Sequence, residues 1–263
     1  MLTSVHVSKT ENSSPRSLSD NGMMEDRHTA QAKRRKYFRR IFKYRQMDFD
    51  FAMWQMLYLL LSPQKVYRNF QYRKQTKDQW ARDDPAFLVL LSIWLCGSSV
   101  GFGIVLSLGF VGTLKFLLWV VFVDCIGVGL LIATFFWFVT NHYLKLNNKN
   151  FQEVEWGFCF DVHLNAFFPV LILLHVIQLF LYMPVISYDY FLSTLLGNSL
   201  WLVAMGYYVY ITFLGYTALP FLKKTIALLY PPSLLILIFY CVSVIINWNL
   251  CKSLMYFYKY RVK

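Results

Sequence analysis

The sequence predicts an all-α, polytopic membrane protein: five transmembrane helices with a basic cytosolic N-terminal arm containing interfacial helices. Three observations predict it. The chain is 57% hydrophobic and only 15% charged, whereas soluble domains carry about 25% charged and 45–50% apolar residues. From residue 85 onward the apolar residues run in blocks long enough to cross a bilayer, which takes about 20 residues of helix. The charge is also segregated. Residues 1–84 hold 17 of the 26 Lys and Arg and 9 of the 14 acidic residues, so +8 of the net +12 sits there. A basic cytosolic segment of this kind suits anionic lipid, phosphate or an acidic partner.

Residues 1–32 are polar, rich in Ser, Asn and charge, and read as a disordered tail. No apolar core of a cleaved signal peptide stands in the first 30 residues, so the first span is expected to serve as its own insertion signal. The arm, 33–84, opens with "KRRKYFRRIFKYR", which packs Lys33, Arg34, Arg35, Lys36, Arg39, Arg40, Lys43 and Arg45 among Tyr37, Phe38, Phe42 and Tyr44. On a helix Tyr37, Phe38, Ile41 and Phe42 share one face and the cations take the others. "FDFAMWQMLYLLL" (49–61) is apolar but too short to cross, and reads as an interfacial or re-entrant helix. Ser62–Pro63 then reads as a cap followed by a proline-started basic helix toward residue 80.

The transmembrane domain, 85–250, is expected to hold spans at about 85–108, 114–139, 166–186, 195–219 and 231–250, with Asp84 and Pro85 opening the first and Pro231–Pro232 opening the last. A short basic tail, 251–263, follows. With the N-terminus cytosolic, Lys145, Lys149, Lys223 and Lys224 fall inside, and the opposite loops near 109–113 and 187–194 carry no Lys or Arg. The tail cations Lys259, Arg261 and Lys263 run against this rule. A sixth span at 49–61 would move them inside, but only by exporting the more basic 65–82 region. Five spans is therefore the expectation.

Two ionisable residues fall inside the spans. Asp124 lies near the middle of the second and His175 at similar depth in the third, with Gln178 one turn on. A mid-membrane carboxylate costs about 2.5–3.5 kcal/mol, so it needs a partner. An Asp124–His175 contact is expected, as a polar packing clamp in preference to a proton or substrate path. Glu155, Asp161, His163 and Asn165 form a polar cluster where the third span meets the cytosolic face, and Asp161 and Asn165 share a helical face. Cys159 and His163 at i, i+4 are by themselves weak support for zinc. The five cysteines show no C-x-x-C spacing and read as buried thiols, with no disulfide or metal framework. "GSSVG" (97–101) is a GxxxG, which permits close helix approach inside the bundle. No nucleophile elbow, phosphate loop, H-E-x-x-H or acyltransferase-like signature is present, so an enzyme is not expected and no cofactor is called for.

The long segments "RQMDFDFAMWQMLYLLLSPQKVYRNFQYRKQTKDQWARDDPAFLVLLSIWLC" (45–96), "WGFCFDVHLNAFFPVLILLHVIQLF" (156–180), "GNSLWLVAMGYYVYITFLGYTALPFL" (197–222) and the terminal "FYKYRVK" resemble the Unc-fifty homolog family. The resemblance runs from about residue 28 to 263. It implies a multi-span protein of the Golgi apparatus and inner nuclear membrane, involved in delivering nicotinic acetylcholine receptor cargo to the cell surface. It also implies recruitment of a large Arf guanine-nucleotide exchange factor, and an RNA-binding activity. The family offers no catalytic residues to transfer.

Three function classes follow. The first is a non-enzymatic trafficking factor whose arm docks partners. The basic stretch 33–45 also suits anionic lipid at about 1 kcal/mol per cation, which does not exclude docking. The second is RNA contact through the same cations and aromatics, electrostatic and salt-sensitive. The third is a transporter or lipid-handling protein using Asp124 and His175.

Overall fold

The computed structural model describes residues 47–69, 81, 82, 84–146 and 153–262. The polar tail 1–32, the basic stretch 33–45, the continuation of the arm over 70–80, Lys149 and Lys263 lie outside the described residues. The chain divides at Asp48, and the architecture below concerns the residues from there on.

In the arm, α1 spans Phe49–Leu61 and α2 covers 63–69. Asp48 caps α1, its carboxylate accepting from the Phe51 N–H at 2.9 Å. Pro63 opens α2 where its missing N–H has no helical partner to lose. α1 buries Ala52, Gln55, Met56 and Leu59 at helical spacing. Its other face exposes Met53, Leu57 and Leu61, so it is apolar on both sides.

Five helices have the length and hydropathy to cross a membrane: α3 (Ala86–Val105), α4 (Gly109–Leu144), α5 (Trp156–Ile186), α6 (Phe191–Thr217) and a fifth running Thr225–Ile245. The fifth consists of a 3-10 turn, Thr225–Leu228, and α7, Tyr230–Ile245. They pack as successive antiparallel hairpins, with α1 laid against α3 and α5. Their outward faces remain apolar, as in Ile104, Leu131, Phe180 and Leu235, which is the surface a lipid solvent requires. The buried core at the arm end joins Ala133, Phe158, Cys159, Val162, Tyr216 and Leu219.

Several boundaries differ from the expectation. α4 has 36 residues, about 54 Å at 1.5 Å per residue, against a hydrocarbon core of about 30 Å. α5 begins ten residues before the expected 166. Its polar first turns persist as helix because their side chains are engaged by neighbouring elements, as shown below. The last span stops at Ile245, short of 250. There Asn247 adopts a left-handed φ of 53°, which asparagine tolerates, and the Trp248 N–H closes on the Ser243 carbonyl at 2.8 Å.

The expected basic tail is a helix, α8 (Leu250–Val262), packed on α6 and the start of α4. Asn249 caps it, accepting from the Lys252 N–H at 3.0 Å and donating to the Ile186 carbonyl at 3.0 Å. The cysteines also divide: Cys125, Cys159 and Cys251 are buried, while Cys96 and Cys241 face outward from their spans. The cause is helical phase, since both thiols lie on the sides of α3 and α7 that no other element covers.

α4 and α5 contain π-helical runs, at Val120–Gly127 and Thr140–Leu144 and at Ile172–Ile177 and Tyr182–Ile186. Asp124 and His175 each sit in one. In α5 the first run follows Pro169, which lacks the N–H that the Asn165 carbonyl would receive. Of the GxxxG glycines, Gly101 serves close packing inside the bundle: a Cβ there would lie 2.4 Å from a Leu179 methyl.

Candidate functional site

The densest polar constellation lies where the arm meets the bundle, at the end holding the start of α3 and α5 and the end of α4 and α6. α5 supplies Asp161, His163 and Asn165, all buried. The arm supplies Gln55, Tyr67 and Arg82.

Asn165 is the hub. Its Oδ1 accepts from Gln55 Nε2 at 3.2 Å and from the Arg82 guanidinium, and its Nδ2 donates to the Tyr67 hydroxyl at 3.4 Å. One turn earlier Asp161 Oδ2 accepts from the Arg82 backbone N–H at 2.6 Å. Just before the helix begins, Glu155 accepts from the Ala81 N–H at 3.3 Å. Asp161 and Asn165, which share a face of α5, therefore both receive Arg82, through its backbone and its side chain. The Arg82 guanidinium lies 4.0 Å from the centre of the Phe87 ring, close enough for a cation–π contact. Burial raises the Tyr67 hydroxyl far above its ordinary range, so it stays a neutral partner. On α6, the Tyr207 hydroxyl donates to the Leu59 and Leu60 carbonyls, each at 3.0 Å, completing the C-terminus of α1. Gln64 reaches Tyr210 at 2.8 Å.

His163 stands behind this seam. Its Nε2 is 3.2 Å from the Cys125 carbonyl, and its Nδ1 is 2.8 Å from the Tyr208 hydroxyl. A carbonyl only accepts, so Nε2 carries the proton and Nδ1 of the neutral ring accepts from Tyr208. Gly129 makes the approach possible: a Cβ there would meet the His163 ring at 2.5 Å. With both nitrogens engaged, His163 has no lone pair for zinc, and Cys159 lies in the apolar core. Among the described residues no group of three His, Cys, Asp or Glu is placed to hold a metal.

The expected Asp124–His175 contact is not made. Asp124 accepts from the Tyr258 hydroxyl of α8 at 2.6 Å. His175 Nδ1 lies 3.4 Å from Ser98 Oγ. Aromatic rings stand between them: His175 meets Phe102 edge-on, Phe102 meets Phe116, and Phe116 meets Tyr258. Two separate contacts replace a shared pair, because α8 occupies the space beside Asp124. Tyr258 lies in the segment expected to be a short basic tail. The signal that exposes it is the buried series Cys251, Met255, Tyr258 and Val262 at helical spacing. Arg82, Gln55, Tyr67 and Tyr208 carry no sequence motif, and only the packing brings them to α5. The basic and aromatic candidates of 33–45 lie outside the described residues.

The seam joins two parts of one chain. Its hydrogen bonds run from the arm to α5, and among the described residues it presents no nucleophile beside a base. Compared with known proteins, residues 37–259 match the UNC-50 family. The zebrafish Danio rerio protein unc-50 homolog is 66% identical over 239 residues, 90% of this chain and 92% of its own. The human protein unc-50 homolog is 65% identical, over 90% of this chain and 91% of its own. The Drosophila melanogaster homolog is 58% identical, over 89% and 84%. No solved structure matches the chain. With a family match along most of its length, on a five-span helical bundle, the chain belongs to the UNC-50 family.

Proposed function

We propose that the protein is a non-enzymatic membrane trafficking factor of the Golgi apparatus and inner nuclear membrane, with its N-terminus cytosolic or nucleoplasmic. In this reading it supports protein transport and cell-surface delivery of nicotinic-receptor-type cargo. Its cytosolic arm recruits a large Arf guanine-nucleotide exchange factor, and RNA contact is a second use of the same basic stretch.

The observation that carries this reading is the buried seam: Gln55 and Arg82 on Asn165, with the Arg82 backbone on Asp161, hold the arm at a defined place on the bundle. A buried polar seam that fixes α1 and Arg82 on the bundle suits a docking role better than a flexible tether would. The separation of Asp124 from His175 favours it over transport through that pair.

The test measures the Golgi-bound fraction of the exchange factor in cells that have the protein, lack it, or carry Lys33, Arg34, Arg35, Lys36, Arg39, Arg40, Lys43 and Arg45 all changed to Gln. Loss in both altered lines, with the variant correctly placed, is the expected result. An unchanged fraction in both removes the recruiter role. Retained RNA crosslinking in the Gln variant excludes 33–45 as the RNA contact.

A further inference from the structure

The end of the bundle away from the arm carries a groove that trafficking through the arm does not use. Its volume is about 420 Å³, inside the roughly 300–1,000 Å³ of small-molecule sites. It opens between the α5–α6 turn and the α7–α8 turn, and its walls include Tyr188, Asp189, Thr194, Asn247, Lys252 and Tyr256.

Two features set its chemistry. Asp189 and Lys252 form an ion pair in it, so the groove offers one charge of each sign and no net charge. The hydroxyls of Tyr188, Thr194 and Tyr256 and the Asn247 amide make no side-chain hydrogen bond within the protein, among the described residues. Neighbouring Asn249 and Ser253 are engaged, in capping α8 and in accepting from Trp248. Four uncommitted polar groups therefore converge beside a charge pair. A lone anion there meets Asp189 and a lone cation meets Lys252, whereas a ligand bearing both charges satisfies both. Lysine binds phosphate as a point charge, and tyrosine faces attract ammonium groups.

The surroundings name the source. α6 begins at Phe191 and α7 ends at Ile245 beside the groove, and Phe191, Leu192, Ile245 and Ile246 are exposed around it. Polar groups and uncovered apolar side chains thus meet at the ends of membrane-spanning helices, where headgroup and acyl chain meet in a bilayer. We infer that this groove binds the zwitterionic headgroup of a phospholipid, its phosphate on Lys252 and its ammonium between Asp189 and the two tyrosines.

The test uses the full chain purified in detergent, with lipid retention read by native mass spectrometry and affinity read by titration. The probes are phosphatidylcholine, phosphatidylglycerol with the same acyl chains, and soluble glycerophosphocholine. Preferential retention of phosphatidylcholine is expected, with about tenfold weaker affinity in Lys252→Gln and in Tyr256→Ala, the loss of one charge-assisted or cation–π contact. Tyr256 is 74% exposed, so its variant keeps the fold and decides the matter should Lys252→Gln misfold. Competition by glycerophosphocholine assigns the site to the headgroup alone, and its failure with lipid still retained assigns it to the intact lipid. Equal retention of the two lipids overturns the proposal. So does unchanged phosphatidylcholine affinity in Tyr256→Ala or in a folded Lys252→Gln.

Discussion

Among the described residues, the two long helices outside the spans, α1 and α8, have 13 residues each and different outer faces. Both bury one residue in every three or four, and both reach into the bundle with a polar group: Gln55 to Asn165, and Tyr258 to Asp124. Their exposed faces diverge. α1 shows Met53, Leu57 and Leu61, whereas α8 shows Tyr256, Phe257, Lys259, Tyr260 and Arg261. The inner face determines that a helix docks, and the outer face determines the solvent it docks in. α1 suits lipid on its open side, and α8 suits the zone of headgroups and water.

The largest expected effect breaks the inner contact of the arm. Asn165→Ala leaves Gln55, Tyr67 and the Arg82 guanidinium short of a buried partner, a loss of about 3 kcal/mol. Thermal unfolding in detergent and faster proteolysis of the arm would register it. An unchanged melting temperature would mean the seam does not hold the arm.

Leu57→Lys comes next and probes the outer face. If α1 faces lipid, the charge costs about 2 kcal/mol after snorkelling, and the loss appears in bicelles as a lower melting temperature. The matched change on α8, Tyr256→Lys, stays within about 0.5 kcal/mol in the same assay, as surface changes do. Equal effects would erase the proposed difference in solvent.

Tyr258→Phe sharpens the comparison at the far end. Burial and the Asp124 carboxylate both raise the Tyr258 hydroxyl far above its ordinary range, so it donates throughout neutral pH. Its loss costs about 1.5 kcal/mol by removing one of the donors to the half-buried Asp124. Adding Asp124→Asn should recover part of that loss, which a double-mutant cycle measures. Full additivity would show that the pair does not interact.

The smallest effect tests the cap that separates α7 from α8. Asn249→Asp retains the acceptor for the Lys252 N–H but loses the amide donor to the Ile186 carbonyl. It costs about 1 kcal/mol, read as increased protease access to α8. Unchanged access would place the stability of α8 in its apolar face alone.

What the sequence revealed follows from which interactions are local. α1 matches its expected limits because Asp48 caps it and Ser62–Pro63 ends it, all within one stretch of chain. The number of spans was legible because hydropathy is a sum over neighbouring residues. Asp161 and Asn165 could be placed on one face from their spacing of four. Their partner Arg82 could not, since 79 and 83 positions separate it from them. Nothing in the sequence marks which distant arginine fills a buried acceptor.

The sequence by itself determined the all-α membrane class, the five apolar spans, the short apolar helix of the arm and the polar face of α5. Helical period and the bilayer's need for internally paired backbone act on neighbouring residues, and leave few alternatives. The tertiary structure decided the early start of α5, the folding of the basic tail into α8, and the pairing of Asp124 with Tyr258 in place of His175. Each depends on which buried polar group finds a partner across the bundle. That is settled by three-dimensional packing of elements far apart in the chain, to which local periodicity is blind.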